Sequence, residues 1–151
     1  IQTWILEILS VMTTDASGCV FIAADTHRAC LQLRSSRVSY PNTWSFWGGK
    51  SEGNERPFET LLREVEEEIG FVPSIIKTYP LHKFTSRDQK FTYNAFVVMV
   101  EKEFLPVTNG ETAGYAWVDI DNYPKPLHQG AKFVLQNPDM ISKIKTIVAG
   151  F

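Results

Sequence analysis

Residues 47–71 constrain the fold of this chain more than any other stretch, because they join a glycine pair and a polar loop to a helical pattern. Pro57 suits the first turn of a helix, and Gly70 suits the left-handed residue that closes one. The apolar positions between them fall on one stripe at 100° per residue: Phe58, Leu61, Leu62, Val65 and Ile69. The sequence therefore predicts an amphipathic helix whose apolar stripe faces the core.

The acidic residues of this helix stand where they destabilise it. Glu64, Glu66, Glu67 and Glu68 crowd its last turns, where the helix dipole disfavours negative charge, and Glu64 and Glu68 form a like-charged pair four residues apart. Glu64, Glu67 and Glu68 share an arc of about 100° beside the apolar stripe. Three carboxylates at the border of a core suit a hard cation such as Mg²⁺. A solvated acidic face is the alternative. However, these glutamates violate several rules of local helix stability at once, which favours a functional role for them.

The spacing of these residues resembles the Nudix box, G-x5-E-x7-R-E-U-x-E-E-x-G-U, in which U is a bulky aliphatic or aromatic residue. The chain fills every fixed position of the box: Gly49, Glu55, Arg63, Glu64, Val65, Glu67, Glu68, Gly70 and Phe71. The resemblance implies an α/β fold, a Nudix-type α/β/α sandwich with a mixed β-sheet. It also implies metal-dependent hydrolysis of a nucleoside diphosphate linked to another group.

The resemblance also implies roles for individual residues. Glu64, Glu67 and Glu68 are the expected metal ligands, with the carbonyl of Gly48 as a further one, and Mg²⁺ is the expected cation, with Mn²⁺ as the alternative. Arg63 precedes Glu67 by four residues and is expected to orient a carboxylate.

The expected general base is Glu111, because in several Nudix enzymes a glutamate ahead of a Trp-Val strand takes this role or binds another metal. Glu111 precedes Trp117 and Val118 in this way, and a plain surface acid is the alternative. His82 and His128 are weaker candidates for the base, since a lone histidine is more often a structural hydrogen-bonding residue.

Five further residues are candidates for substrate binding. Arg34 and Arg37 follow an apparent strand and are suited to phosphate, as is Lys50 in the box loop, with solvated surface charges as the alternative. Trp44 and Trp47 belong to an aromatic stretch that could stack on a base. Core packing is the alternative for Trp44 and for Phe46 of the same stretch.

Composition narrows the class of protein. With 151 residues the chain fits a single domain over residues 1–151, and a net charge of −2 argues against a broad nucleic-acid surface. No apolar run is long enough to span a membrane. Cys19 and Cys30 show no metal-ligand spacing and are expected to be reduced core residues of a cytoplasmic protein, with a disulfide as the alternative.

Periodicity along the chain places the remaining elements. Strands are expected over residues 2–24, with a turn at 14–18, and then over 29–33, 72–84, 91–100 and 114–120. Pro80 indicates an edge strand or a bulge. Residues 131–136 and 138–148 are expected to be helical.

The substrate class stays open at this stage among nucleotide sugars, dinucleotides and nucleoside triphosphates. Two other functions stay open too: a nucleotide-binding or regulatory module without catalysis, and a pyrophosphohydrolase of RNA 5′ ends. Self-association as a homodimer also stays open.

Overall fold

A computed structural model describes residues 13–151. The strands are β1 (Thr14–Ala23), β2 (Ala29–Arg34), β3 (Trp44–Ser45), β4 (Trp47–Lys50), β5 (Ile75–Thr85), β6 (Phe91–Val100) and β7 (Thr112–Val118). The helices are α1 (Pro57–Ile69), α2 (Gln129–Leu135) and α3 (Pro138–Val148).

The strands form one mixed sheet with β1 at its centre. The hydrogen-bonded order is β3-β2-β1-β6-β5, while β4 pairs with β1 and β7 pairs with β2. Only the β1–β6 pair is parallel among the described strands, and the other pairs are antiparallel. Alternate side chains of β1 point to opposite faces, so Val20 and Ile22 join one core and Cys19 and Phe21 the other.

Each face of the sheet is covered by helices. One core includes Ala131 and Val134 of α2 and Ile144 of α3, and the other is closed by the apolar side of α1. This arrangement confirms the predicted α/β/α sandwich with a mixed sheet. Among the described residues, no helix is both long enough and apolar enough to span a membrane.

The predicted signals at the two ends of α1 are confirmed. Pro57 lies in the first turn, and the Glu59 carboxylate accepts a hydrogen bond from the backbone N–H of Arg56. Gly70 closes the helix with φ 84°, a left-handed conformation that glycine adopts without strain.

The apolar stripe of α1 is mostly as predicted. Leu61, Val65 and Ile69 are at most 2% exposed. Phe58 is the exception, because it is 39% exposed and its ring contacts Phe96 at the edge of the core, with a centroid separation of 6.3 Å. The prediction that Phe58 faces the core is therefore wrong.

Several strand predictions are confirmed and one is wrong. The predicted strand at 91–100 coincides with β6, and β5 is an edge strand whose register shifts between Pro80 and His82. The turn expected at residues 14–18 is instead the start of β1, because Ser17 and Gly18 pair with β4 on one side and β6 on the other. The strand expected before residue 13 lies outside the described residues.

The two cysteines are free and fully buried on the α1 side of the sheet, as predicted. Burial raises the pKa of both thiols, that of Cys30 to about 12, so they are protonated residues of the core.

Phe104 anchors the loop between β6 and β7 to this same core. Its ring packs edge-to-face against Phe21, Phe71 and Trp117, with centroid separations of 5.2 to 5.6 Å. The Trp117 indole N–H donates to the Phe104 carbonyl over 3.0 Å. The neighbouring Leu105 is 77% exposed. The Phe104 side chain therefore ties this otherwise largely exposed loop to the core.

We expect Phe104→Ala to lower the free energy of unfolding by about 2–4 kcal/mol, because it removes three ring contacts and leaves a gap. Leu105→Ala is the matched control and should change stability by less than about 0.5 kcal/mol. Urea denaturation of both variants measures the difference. Equal effects of the two substitutions would contradict an anchoring role for Phe104.

Candidate active site

The glycine pair of β4 lies directly against the acidic side of α1. The backbone N–H of Gly48 donates to Glu68 Oε1 over 2.8 Å. A Cβ at position 49 would fall on the carboxyl group of Glu64, at about 2.6 Å from its oxygens, so a larger residue there would displace this carboxylate. The fixed glycine of the box is thus explained by the approach of a carboxylate.

Glu68 is the most buried acid of the described chain, with 3% of its surface exposed. Burial raises its pKa to about 8, and the charges of Glu64 and Glu111 act in the same direction. Hydrogen bonds from the Gln32 side chain and the Gly48 N–H partly offset this increase.

Gln32 and Thr112 support Glu68 and were not singled out from the sequence. The Gln32 amide donates to the Phe46 carbonyl over 2.9 Å and accepts from the Thr112 hydroxyl over 2.8 Å, so its orientation is fixed. The signal available in the sequence was a glutamine inside the apolar strand pattern of β2, since a buried amide requires partners.

The Arg63 guanidinium connects the box loop to the acids of α1. It donates two hydrogen bonds to the Glu55 carboxylate, from Nε over 2.8 Å and from Nη2 over 3.1 Å. Nη2 also donates to the Lys50 carbonyl over 2.9 Å, while Nη1 contacts the carboxylates of Glu64 at 3.0 Å and Glu67 at 3.3 Å. This geometry is the one expected of a residue that orients carboxylates.

Glu55 braces the box loop. Its carboxylate accepts from the backbone N–H of Glu52 over 2.8 Å and from the Thr60 hydroxyl over 3.1 Å, in addition to Arg63. The Arg63 hydrogen bonds, together with the Glu52 N–H, lower the pKa of Glu55 to about 2. Glu55 is therefore ionised and held by Arg63.

The expected convergence of Glu64, Glu67 and Glu68 on one point is not found in this arrangement. Within residues 13–151, no three His, Cys, Asp or Glu side chains are grouped as a metal-binding cluster. The physical reason is that Glu64 and Glu67 pair with Arg63, while Glu68 turns inward to the Gly48 N–H.

The donor chemistry of this region nevertheless fits a divalent cation. Carboxylate oxygens on one side of α1 face the backbone of the glycine pair, and hard cations prefer such ligands. The pKa of Glu64 is raised by burial and, to a lesser extent, by the charges of Glu67 and Glu111. Added positive charge would relieve this repulsion.

Glu111 lies on a loop that meets the end of α1 although it is more than forty residues away along the chain, because Asn109 Nδ2 donates to the Glu67 carbonyl over 3.0 Å. The charge of Glu111 makes a small contribution to the raised pKa of both Glu64 and Glu68. Its backbone is held by hydrogen bonds on both sides, from Glu111 N–H to Asn109 Oδ1 over 2.9 Å and from Ser35 N–H to its carbonyl over 3.0 Å.

The three basic candidates differ in their surroundings. The Arg37 guanidinium packs over Gly110, next to Glu111. Lys50 is exposed at the end of β4, beside the Arg63 contact. Arg34 is tied to its own loop, since Nε and Nη2 donate to the carbonyl and hydroxyl of Ser39 over 2.8 and 3.1 Å.

The two tryptophan candidates differ in exposure. Trp47 is fully buried in the core under α1, and its indole N–H donates to the Cys30 carbonyl over 3.2 Å. Stacking of Trp47 on a base is therefore excluded by its burial, and its role is packing. Trp44 is half-buried on the opposite face, and its carbonyl accepts from the His128 N–H over 2.8 Å.

The surroundings of the histidines favour structural roles. His128 Nδ1 accepts from the Gly130 N–H at the start of α2, and the Tyr40 ring contacts its edge at a centroid separation of 5.4 Å. Burial, with a smaller effect from the charge of Arg34, lowers the pKa of His128. His82 stacks on Phe133 at 4.9 Å.

Comparison with known proteins identifies the family. The NUDIX domain family matches residues 12–137, which is most of the chain and includes the whole site. The chain belongs to the Nudix hydrolase family. Members of this family generally use divalent metals, and the carboxylates of α1 are of the chemical type that such ions bind.

Two individual relatives match this chain at 28–30% sequence identity. The mRNA-decapping enzyme subunit 2 of Arabidopsis thaliana is 30% identical over 103 residues, which cover 67% of this chain and 27% of that protein. The nucleoside triphosphatase NudI of Klebsiella pneumoniae is 28% identical over 123 residues, covering 70% of this chain and 84% of that protein. The chain thus spans about a quarter of the plant protein's length.

Among solved structures, a Nudix hydrolase from M. smegmatis, RenU, superposes with a TM-score of 0.67 at 20% identity. The alignment covers 87% of this chain and 85% of that one. At this identity the likeness establishes the fold alone.

The raised pKa of Glu68 predicts how the stability of the metal-free protein, measured in the presence of a chelator, depends on pH. In the folded state Glu68 keeps its proton up to about pH 8, whereas an unfolded glutamate loses it near pH 4.5. Because the folded state then binds more protons, stability falls as pH rises between these values. Glu68→Gln carries no such penalty, so at pH 8 its Tm should exceed that of the original protein by about 4–8 °C, and the difference should vanish near pH 4.5.

Thermal unfolding between pH 4.5 and 8.5 measures this difference. Glu66→Gln is the control, because Glu66 lies on the exposed side of the same helix turn. A Glu68→Gln variant that is no more stable than the original protein at pH 8 would contradict the buried, protonated carboxyl group.

Proposed function

We propose that this chain is a Mg²⁺-dependent hydrolase that cleaves the pyrophosphate linkage of a nucleoside diphosphate attached to another group. The observation that carries the proposal is the approach of the α1 acids to the glycine pair of β4. The Gly48 N–H donates to Glu68, the Glu64 carboxyl group lies against Gly49, and Asn109 joins the loop of Glu111 to the same helix.

The metal ligands in this proposal are Glu64, Glu67, Glu68 and the carbonyl of Gly48. Mg²⁺ bound there, or Mn²⁺ in its place, would polarise the phosphoryl oxygens and supply positive charge to the anhydride. For Glu64 and Glu67 to serve, they must exchange part of their contact with Arg63, which keeps its bidentate hold on Glu55.

The chain's own residues supply positioning and proton transfer. Arg63 orients Glu64 and Glu67 and fixes the box loop through the Lys50 carbonyl. Glu111 is the proposed general base, whose carboxylate takes a proton from the attacking water. The Asn109 side chain, which joins the Glu111 N–H to the Glu67 carbonyl, supports this role over that of a plain surface acid.

The phosphates and the remainder of the substrate bind around this centre. Arg37 is the best-placed cation, because it lies over Gly110 beside Glu111, and Lys50 follows the glycine pair. Arg34 and Trp44 are the proposed contacts for the group beyond the phosphates, and the Trp44 carbonyl accepts from the His128 N–H. Trp47 is not part of the proposed substrate site.

A small nucleotide is the proposed substrate class. The relative that this chain matches along most of its length is named a nucleoside triphosphatase. Processing of RNA 5′ ends is a second candidate, because the plant relative is named a decapping enzyme subunit, although the net charge of −2 argues against a broad nucleic-acid surface.

The proposal is tested by incubating the chain with nucleoside triphosphates, nucleotide sugars, dinucleotides and a capped oligonucleotide, with Mg²⁺ and with chelator. Cleavage of an anhydride in one substrate group with Mg²⁺ only is the expected result. Cleavage of the capped oligonucleotide alone would favour RNA processing. Nucleotide binding without cleavage of any substrate would favour a catalytically silent binding module.

Replacement of Glu67 separates catalysis from folding. Glu67→Gln should lower kcat by more than about 100-fold, because it removes a proposed metal ligand, with little change in Tm since Glu67 is exposed. Glu66→Gln, one residue away on the other flank of α1, should keep near-normal turnover. Undiminished activity of Glu67→Gln in a steady-state assay would exclude the proposed ligand set.

A further inference from the structure

Glu111 lies on the loop before β7. The side chain of Asn109, on the same loop, joins it to the helix that carries the acids. Asn109 Nδ2 donates to the carbonyl of Glu67 over 3.0 Å, and its Oδ1 accepts from the N–H of Glu111 over 2.9 Å. A single amide group therefore bridges the last turn of α1 and the backbone of Glu111.

This bridge uses a property that few side chains have. The Glu67 carbonyl belongs to the last turn of α1, where backbone carbonyls have no partner within the helix. An amide side chain offers a donor and an acceptor at its tip, so it can satisfy that carbonyl and hold a second backbone group together. Aspartate would supply only the acceptor, and alanine neither.

The other contacts of the loop do not fix Glu111 from this side. Val107 N–H donates to the Ile69 carbonyl over 2.9 Å, which holds the loop near the end of α1 but four residues before Glu111. The Ser35 hydroxyl donates to the Gly110 carbonyl over 2.7 Å, from the β2 side. Asn109 is the contact that links the position of Glu111 to the helix carrying the acids.

We propose that Asn109 is a positioning residue for hydrolysis, which acts by holding Glu111 at a fixed place relative to Glu64, Glu67 and Glu68. This inference rests on the proposed function of Glu111. In this role Asn109 acts through Glu111 and not on the substrate itself. Because Asn109 is exposed and its two hydrogen bonds lie at the surface, its loss should affect geometry more than stability.

The test is a double-mutant cycle with Asn109→Ala and Glu111→Gln, assayed on the substrate that the panel identifies. Asn109→Ala should lower kcat by about 10- to 100-fold with KM within about twofold, because a misplaced group costs rate rather than binding. In the Glu111→Gln background the same substitution should change kcat by less than about twofold, since the group it positions is already disabled.

The control is Asn137→Ala, which likewise removes two hydrogen bonds of an asparagine side chain, those that Asn137 Oδ1 accepts from two backbone N–H groups at the start of α3. Both variants should lose about 2–4 °C in Tm, but only Asn109→Ala should lose kcat. Unchanged kcat in Asn109→Ala, or an equal loss in both backgrounds, would overturn the positioning role.

Amide hydrogen exchange by NMR tests the bridge without any substrate. The Glu111 amide should exchange about 5- to 10-fold faster in Asn109→Ala, while the Val107 amide keeps its original rate. If the original protein cleaves no substrate but the Glu111 amide responds, the proposed activity fails and the bridge stands. An unresponsive Glu111 amide would overturn the bridge, whatever the activity.

Discussion

The Arg63 guanidinium is the interaction on which the arrangement of the site depends. The last turns of α1 concentrate like charges at the end of a helix where the dipole disfavours them. Arg63 offsets this by holding Glu55 with two hydrogen bonds and by contacting Glu64 and Glu67. Because Nη2 also binds the Lys50 carbonyl, the same group joins helix, loop and strand β4. A lysine could not make this set of contacts, since it lacks the planar fork of donors.

The fold completes the site by bringing other elements together around the Arg63 guanidinium. The central strand β1 pairs with β4, and β4 places the Gly48 N–H on Glu68. On the other side, the aromatic anchor Phe104 and the Asn109 bridge hold the loop that carries Glu111. The acids are therefore crowded by the scaffold at a cost in stability, and such crowding is typical of functional sites.

Much of the fold could be predicted from the sequence, because its signals are local. The periodicity of α1, the proline and glycine at its ends and the apolar run of β6 all depend on neighbours along the chain. The turn expected at residues 14–18 was wrong because polar and small residues there are held as a strand by β4 and β6, which are distant in sequence. Phe58 follows the helical stripe, yet its side chain is 39% exposed.

The candidate site also has one part that could be predicted from the sequence and one part that could not. The glutamates and the arginine of α1 could be predicted because their spacing is fixed by one helix. Burial of Trp47 and the support of Glu68 by Gln32 and Thr112 could not, because they depend on strands that pair only in the folded chain. The same holds for Asn109, whose sequence context indicates only a turn.

The central claim is that the acids of α1 and the backbone of Gly48 hold a divalent cation. It is tested most directly by anomalous diffraction from crystals soaked in Mn²⁺ at neutral pH. The account predicts an anomalous peak within coordination distance of Glu64, Glu67 or Glu68 and the Gly48 carbonyl, and its loss in Glu67→Gln crystals. Mn²⁺ bound only at other groups, or no peak at a concentration that saturates hydrolysis, would contradict it.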